Sequence, residues 1–209
     1  FNDTATTEIY TLAFVGSVDV YKRQQLMTVL VIGHTRGIGQ QLLKVFDADQ
    51  DVIGCSRSTG HDITRSADRR KVLELARGFD TIILNAFSDE DKDAQHDMLC
   101  ELYNAFENKL KTIVVISSNS ADSWKKKLRK YPSYKMQIDH TCRQMAHLNA
   151  PCRVINIRPG YTATDRIPKE KHVSAMSPNS LALAIRRIIE LPSDIRPVSY
   201  THLTLPTKA

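Results

Sequence analysis

The chain has 209 residues, of which 42% are hydrophobic and 25% are charged, and its formal net charge is +6. This composition is typical of one globular domain, and the absence of a long apolar run excludes a membrane-spanning segment. The four cysteines are scattered and form no C-x-x-C pair. This argues against a metal site and fits a reducing cytoplasm, so we expect a cytoplasmic protein with no metal.

The two ends of the chain differ from the rest. Residues before Met27 are rich in threonine and show no sustained hydrophobic period, and residues 18–24 resemble translated sequencing-adaptor sequence. The tail resembles adaptor sequence as well, although its pattern also suits a last strand. We expect residues 1–26 to be a non-native or disordered extension, residues 27–197 to form a single domain, and residues 198–209 to be a non-native tail or a last strand.

The domain begins with a strand, a glycine-rich turn and a helix. A β-branched apolar run from Thr28 ends at Gly33, Gly37 and Gly39 follow, and apolar residues then recur at helical spacing. Gly33 allows a sharp turn, Gly37 allows a ligand to approach the backbone, and Gly39 allows the helix to pack closely on the strand. The turn amides and the helix N-terminus then face a phosphate. The alternative is a glycine turn that binds no ligand.

Strands and helices alternate along the rest of the chain. Short apolar runs predict buried strands at residues 51–56, 61–64 (brief), 80–85, 112–118 and 152–158. Amphipathic stretches predict helices at residues 66–78, with Ser66 as the cap, and at residues 98–106, 133–148 and 179–190. This alternation predicts an α/β protein with a doubly wound parallel sheet, which is a Rossmann fold with three α/β/α layers. Ligands bind at the C-terminal ends of the strands in such folds.

Three residues suited to acid–base chemistry follow the most apolar strand. Ser118 ends that strand, Tyr131 stands thirteen residues later, and Lys135 is four residues beyond the tyrosine. Positions i and i+4 share a helix face, so the ammonium can lie beside the phenol and lower its pKa from about 10. Tyr134 cannot take this part, because Ile138 stands where its lysine would be. The alternative is a surface Tyr–Lys pair beside an unrelated serine.

These motifs resemble the short-chain dehydrogenase/reductase family over roughly residues 27–189. The glycine spacing is G-x-x-x-G-x-G, and the Ser…Tyr-x-x-x-Lys set has the family's usual gap. The resemblance implies hydride transfer between a nicotinamide and a carbonyl or alcohol substrate, with Tyr131 as general acid or base. It also implies that Ser118 holds the substrate oxygen and that Lys135 reaches the nicotinamide ribose.

Further stretches resemble the family's cofactor-binding segments. Residues 158–164 resemble its Pro-Gly-x-x-x-Thr stretch, and residues 85–86 resemble part of its Asn-Asn-Ala-Gly motif, with Leu84 before them and Phe87 in place of the glycine. The cofactor-binding residues that the resemblance implies are Gly33, Thr35, Arg36, Gly37, Ile38, Gly39, Ser56, Arg57, Asp62, Ile63, Asn85, Ala86, Tyr131, Lys135, Pro159, Gly160, Thr162 and Thr164.

Charge at the second strand bears on the type of cofactor. A carboxylate at the end of that strand would bind the adenosine ribose and repel a 2′-phosphate. This chain has Ser56 and Arg57 there instead, and Arg36 lies in the glycine turn. Guanidinium groups bind phosphate bidentately, so we predict NADP(H) in preference to NAD(H), with residues 62–63 bracketing the adenine.

Two departures from the family pattern leave alternatives open. The connection between the strands at residues 80–85 and 112–118 is short and lacks the family's catalytic asparagine, for which Gln95 or His96 could serve. The basic run at residues 125–130 either steers an anionic substrate or is a solvated face. A non-catalytic NADP(H)-binding sensor or scaffold is therefore the alternative function. We expect a small-molecule partner and no membrane partner; a homodimer is compatible with the resemblance, and the oligomeric state stays open.

A nucleic-acid-binding function has little support from the sequence. Only Trp124 and Tyr131 flank the basic run, and no known nucleic-acid recognition motif is present. We therefore expect no nucleic-acid partner.

Overall fold

The computed structural model describes residues 27–47, 52–122, 129–148, 150–167, 175–192 and 199–201. The strands are β1 (Val29–Ile32), β2 (Val52–Cys55), β3 (Thr81–Leu84), β4 (Thr112–Ile116), β5 (Arg153–Arg158) and β6 (Ser199–Thr201). The helices are α1 (Gly37–Asp47), α2 (Ser66–Ala76), α3 (Ala94–Phe106), α4 (Lys130–His147) and α5 (Pro178–Ile189). Short 3₁₀ turns span Arg57–Thr59 and Asn119–Asp122.

The strands form one parallel sheet in the order β2-β1-β3-β4-β5-β6. Strand β1 pairs with β2 on one side and with β3 on the other, so the strand order reverses direction at β1. In an open parallel sheet, a crevice forms at the C-terminal ends of the strands on either side of such a reversal. This rule places a ligand crevice at the ends of β1 and β3.

Alternate residues of each strand enter two separate apolar layers, as the period of two in a strand requires. Leu30 and Ile32 pack with α2, α3 and α4 on one face, whereas Val29 and Val31 pack with α1 and α5 on the other. The predicted three-layer α/β/α arrangement with a doubly wound parallel sheet is confirmed.

The brief strand predicted at residues 61–64 is wrong, because this segment is a turn. The Asp62 carboxylate accepts hydrogen bonds from the Thr64 amide (3.1 Å) and the Thr64 hydroxyl (2.9 Å), and Arg69 donates to the Ile63 carbonyl (3.0 Å). These local hydrogen bonds replace a strand ladder.

Three helix starts also differ from the predictions. Helix α3 begins at Ala94, four residues earlier than predicted. Ser66 is the first residue of α2 and not its cap; the cap position is Arg65, whose side chain makes no capping hydrogen bond. Helix α4 begins three residues earlier than predicted, so Tyr131 is helical although Pro132 follows it. Proline is tolerated in the first turn because its missing N–H has no helical acceptor there.

Some predictions fall on parts of the chain that the structure does not describe. Residues 1–26 and 202–209 lie outside the described residues, and so do residues 125–128 of the basic run. Ser199–Thr201 form β6 beside β5, and the adaptor origin of the tail stays a prediction. Within the described ranges, no helix is both long enough and apolar enough to cross a membrane.

Candidate active site

The glycine turn packs closely against the end of β3 and is hydrogen-bonded to it. Gly33 and Gly37 have φ values of 91° and 58°, which favour glycine. A Cβ on Gly39 would lie 2.1 Å from the Gly33 carbonyl oxygen, so α1 approaches the turn as closely as a glycine allows. The Asn85 amide donates to the Gly33 carbonyl (2.7 Å), and the Ala86 N–H donates to the Ile32 carbonyl (2.8 Å). The structure thus brings together the turn glycines and the predicted pair after β3.

The segment that follows β5 lies against the glycine turn. A Cβ on Gly37 would lie 3.2 Å from Cγ2 of Thr164, which places this threonine beside the turn. Thr162 is buried and forms a β-bridge with Met176, while the Pro159 carbonyl accepts a hydrogen bond from the Asn119 amide (3.0 Å). The predicted Pro-Gly-x-x-x-Thr segment therefore forms one wall of the crevice.

Tyr131 and Ser118 meet at the same edge of the sheet. The Tyr131 side chain is 37% exposed, and its hydroxyl interacts with the Ser118 side chain. Burial raises the pKa of the Tyr131 hydroxyl, and the hydrogen bond with Ser118 and the charge of Arg166 offset only part of this effect. The expectation that Lys135 lowers the pKa of Tyr131 below its ordinary value is wrong in this structure.

Lys135, the cation expected to act on this phenol, is itself only 2% exposed. Its ammonium donates to Oε1 of Gln95 (2.6 Å) and to the Ile116 carbonyl (3.2 Å). Burial lowers the pKa of Lys135 to about 7, and Arg166 adds to this effect, whereas Asp139 opposes it. Burial thus disfavours the charged form of Lys135, and the pKa of Tyr131 is governed mainly by its own burial.

Gln95 stands at the second position of α3 and is almost completely buried. Its Nε2 donates to the Ile116 carbonyl (3.1 Å) while its Oε1 accepts from Lys135. His96 points elsewhere, with Nε2 3.0 Å from the Thr141 hydroxyl. Of the two residues left open by the sequence, the structure thus brings Gln95 to the lysine and not His96.

Lys135 should give the protein a pH-dependent stability. Its folded pKa of about 7 lies below the ordinary value of 10.5. Between these values the unfolded chain binds a proton that the folded chain does not, so stability rises with pH across this window. Relative to Lys135→Met, the wild type should gain several kcal/mol of unfolding free energy between about pH 7 and pH 10. Urea unfolding of both proteins at each pH measures this difference, and a difference that stays constant would contradict the assignment.

Phe87 and Arg166 belong to the site, although the sequence assigned a role to neither. The Phe87 ring lies edge-on to Tyr131, with centroids 5.3 Å apart, and its centroid is 4.7 Å from Nζ of Lys135. The Arg166 guanidinium lies 5.5 Å from the same centroid and pairs with Asp89 (3.1 Å). The phenylalanine in place of the family's glycine was the one signal in the sequence; nothing marked Arg166.

A network of buried polar side chains connects the elements that carry the candidate site. Oδ1 of Asp139 accepts from the Ser117 hydroxyl (2.7 Å) and from the Asn156 amide (2.8 Å), and Oδ2 lies 2.8 Å from Nε of Arg158. Arg158 also pairs with Asp122. The network joins α4, which carries Tyr131 and Lys135, to the ends of β4 and β5. It also separates the two adjacent serines, since Ser117 binds Asp139 while Ser118 faces Tyr131.

The residues predicted for the adenosine side lie apart from this cluster. Arg57 pairs with Glu90 (3.6 Å), and both side chains are more than 60% exposed. Thr35 and Arg36 are exposed in the turn, and the Ser56 hydroxyl is 2.9 Å from that of Ser58. Ile63 is buried in the apolar core, and the Asp62 carboxylate accepts hydrogen bonds from Thr64.

Comparison with solved structures identifies the fold. The chain is similar to a 3-ketoacyl-(acyl-carrier-protein) reductase from Brucella melitensis complexed with NADH, at 16% identity and a TM-score of 0.71, over 84% of this chain and 96% of that one. It is similar to an alcohol dehydrogenase from the archaeon Thermococcus sibiricus complexed with 5-hydroxy-NADP, at 17% identity and a TM-score of 0.67, over 88% and 98%. A short chain dehydrogenase/reductase family protein matches at 16% identity and a TM-score of 0.69, over 84% and 94%. The chain has the short-chain dehydrogenase/reductase fold. Scans against protein-family models and curated protein sequences give no match.

The short-chain dehydrogenase/reductase fold implies a dinucleotide, and the two halves of the crevice suit it differently. The phosphate half fits, because the turn has glycines at positive φ and the turn leads directly into the N-terminus of α1, whose first amides lack helical partners. On the nicotinamide side, Phe87 covers Lys135. The residues that would hold the phosphates are thus in place, whereas the lysine expected at the ribose has other partners.

Proposed function

We propose that the protein is an NADP(H)-dependent oxidoreductase acting on a small carbonyl or alcohol substrate. The observation that carries this proposal is the convergence of Ser118, Tyr131 and Lys135 at the sheet edge that also holds the glycine turn. A bound nicotinamide would supply or accept the hydride. Tyr131 would exchange a proton at its hydroxyl with the substrate oxygen, and Ser118 would hold that oxygen by a hydrogen bond.

The raised pKa of Tyr131 suits it to proton donation. A phenol whose pKa lies above its ordinary value stays protonated near neutrality, so its hydroxyl can donate to a carbonyl oxygen. Lys135, with a pKa of about 7, can hold or release a proton at working pH and lies 5.6 Å from the Tyr131 ring centroid. The protonated Tyr131 therefore matches the step in which a carbonyl substrate is reduced.

The preference for NADP(H) is supported by two exposed arginines and by the absence of a carboxylate at the end of β2. Arg36 is exposed in the glycine turn, and Arg57 is exposed directly after β2. The ion pair of Arg57 with Glu90 is solvent-exposed and therefore weak, so a 2′-phosphate can replace Glu90 as the partner of this guanidinium.

Replacing Arg57 with aspartate should reverse the cofactor preference. A charge-assisted hydrogen bond contributes about 1.5–3 kcal/mol, so NADPH affinity should fall by about tenfold or more, while NADH affinity is unchanged or improves. Titration of each cofactor by nicotinamide fluorescence measures both values. Lys44→Asp, an exposed change later in α1, is the matched control for net charge. A variant that keeps its NADPH preference would contradict the assignment.

The proposed function is tested by binding and turnover on the full chain. We expect NADPH to bind and to be oxidised in the presence of at least one member of a panel of small aldehydes, ketones and quinones. Carbonyl compounds with and without a carboxylate or phosphate belong in the panel, because an anionic substrate is one expectation from the basic run. Failure to bind either NADPH or NADH would overturn the proposal.

A non-catalytic NADP(H)-binding sensor is the second candidate, and one observation favours it. The Lys135 ammonium is held by Gln95, by the Ile116 carbonyl and by the Phe87 ring, an arrangement that leaves the lysine committed to the protein. Tight NADPH binding without turnover on any substrate of the panel would support the sensor in place of the enzyme.

A further inference from the structure

We propose that Phe87 is a gate on the nicotinamide side of the crevice, which must move away from Lys135 before a nicotinamide ribose can bind there. The inference rests on the proposed function, because it assumes that the crevice holds a dinucleotide. It concerns a residue of this chain where the family pattern has glycine, which has no side chain that could cover the lysine.

The first argument comes from the position of the Phe87 ring. Its centroid is 4.7 Å from Nζ of Lys135 and 5.3 Å from the ring centroid of Tyr131, with an interplanar angle of 86°. A cation over a ring face and an edge-to-face ring pair are both attractive contacts. Phe87 thus covers the Lys135 ammonium and contacts the Tyr131 ring, and both contacts hold it in place.

The second argument concerns what Lys135 can still bind. Two of its N–H groups are directed at Gln95 and at the Ile116 carbonyl, and the Phe87 ring lies over the ammonium. An ammonium has three donors. A ribose hydroxyl can therefore hydrogen-bond to Lys135 only if the Phe87 ring moves away from the ammonium.

The third argument concerns Arg166, whose contacts hold Phe87 over Lys135 but are weak enough to break. Phe87 lies in the segment between β3 and α3, and Arg166 lies in the segment after β5, on the opposite wall of the crevice. Arg166 reaches over the Phe87 ring and pairs with Asp89 at 3.1 Å. Both partners of this ion pair are more than half exposed, so water and salt weaken it.

The test compares two ligands on the full chain. NADPH has the nicotinamide ribose, whereas adenosine 2′,5′-bisphosphate carries only the adenosine side. Phe87→Ala should bind NADPH about tenfold more tightly than the wild type, since binding no longer has to break the ring contacts. It should bind adenosine 2′,5′-bisphosphate within about twofold of the wild type. Phe87→Leu keeps a bulky side chain but lacks the ring contacts, so its NADPH affinity should lie between those of the wild type and Phe87→Ala. Calorimetric titration measures all of these affinities.

A second variant keeps the proposal testable if Phe87→Ala does not fold. Arg166→Gln removes the charge that closes over the ring and should also tighten NADPH binding, by a smaller factor. If adenosine 2′,5′-bisphosphate binds but NADPH affinity is unchanged or weaker in both variants, the gate is overturned and the proposed function stands. Equal tightening for both ligands also overturns the gate. If no protein binds either ligand, the proposed function fails and the gate fails with it.

Discussion

Replacing Tyr131 with phenylalanine is expected to lower kcat by about 10²- to 10⁴-fold, the range that a positioned acid or base contributes. The change removes only the hydroxyl that faces Ser118. The ring that packs edge-on against Phe87 is kept, so the crevice should keep its shape. NADPH affinity should therefore stay within about twofold of the wild type. Steady-state kinetics with the substrate found in the panel, together with NADPH titration, measure both quantities.

Tyr134→Phe is the matched control for this experiment. Tyr134 lies three residues further along α4, and Ile138 takes the place of a lysine four residues after it. Removal of its hydroxyl should leave kcat within about twofold of the wild type, since no proton is exchanged there. Equal losses in the two variants, or full activity in Tyr131→Phe, would show that Tyr131 is not the acid.

Replacing Asp139 with alanine is expected to lower the free energy of unfolding by about 3–5 kcal/mol, the usual effect of removing one partner of a buried ion pair. Asp139 and Arg158 are each only 7% exposed at the side chain. Without Asp139, the exposed Asp122 is the charged partner that Arg158 keeps among the described residues, and the Asn156 amide loses an acceptor. The Ser117 hydroxyl is left with its longer contact to the Lys135 carbonyl (3.4 Å). A buried donor without an acceptor adds its own desolvation penalty. Urea unfolding measures the loss.

Two comparisons separate this effect from a general loss of charge. Glu74→Ala removes the partner of Arg77, and because both side chains are about 70% exposed the expected loss is under about 1 kcal/mol. The double variant Asp139→Leu with Arg158→Met removes both buried charges and should recover much of the stability lost in Asp139→Ala. A loss in Asp139→Ala no larger than that in Glu74→Ala would contradict the role of the network.

Much of the fold could be predicted from the sequence because the signals are local. The run at residues 28–33 and its glycines specify a strand, a turn and a helix through side-chain period and backbone freedom, and both act between near neighbours. The strand predicted at residues 61–64 is wrong for a local reason as well, because the hydrogen bonds from Thr64 to the Asp62 carboxylate compete with a strand. Tyr131 is helical because Pro132 lies in the first turn of α4, where a proline is tolerated.

By itself, the sequence determined the strand–helix alternation, the glycine turn and the spacing that sets Lys135 four residues after Tyr131. It could not determine the partners of these residues, because partners come from segments far apart in the chain. Lys135 contacts Gln95 and the Phe87 ring, and Asp139 pairs with Arg158. These contacts exist because the parallel sheet brings the ends of its strands to one edge. The pKa values of Tyr131 and Lys135 also depended on the tertiary structure. A lysine beside a phenol predicts a lowered phenol pKa, but burial decided otherwise, because removal from water penalises the charged forms of both residues.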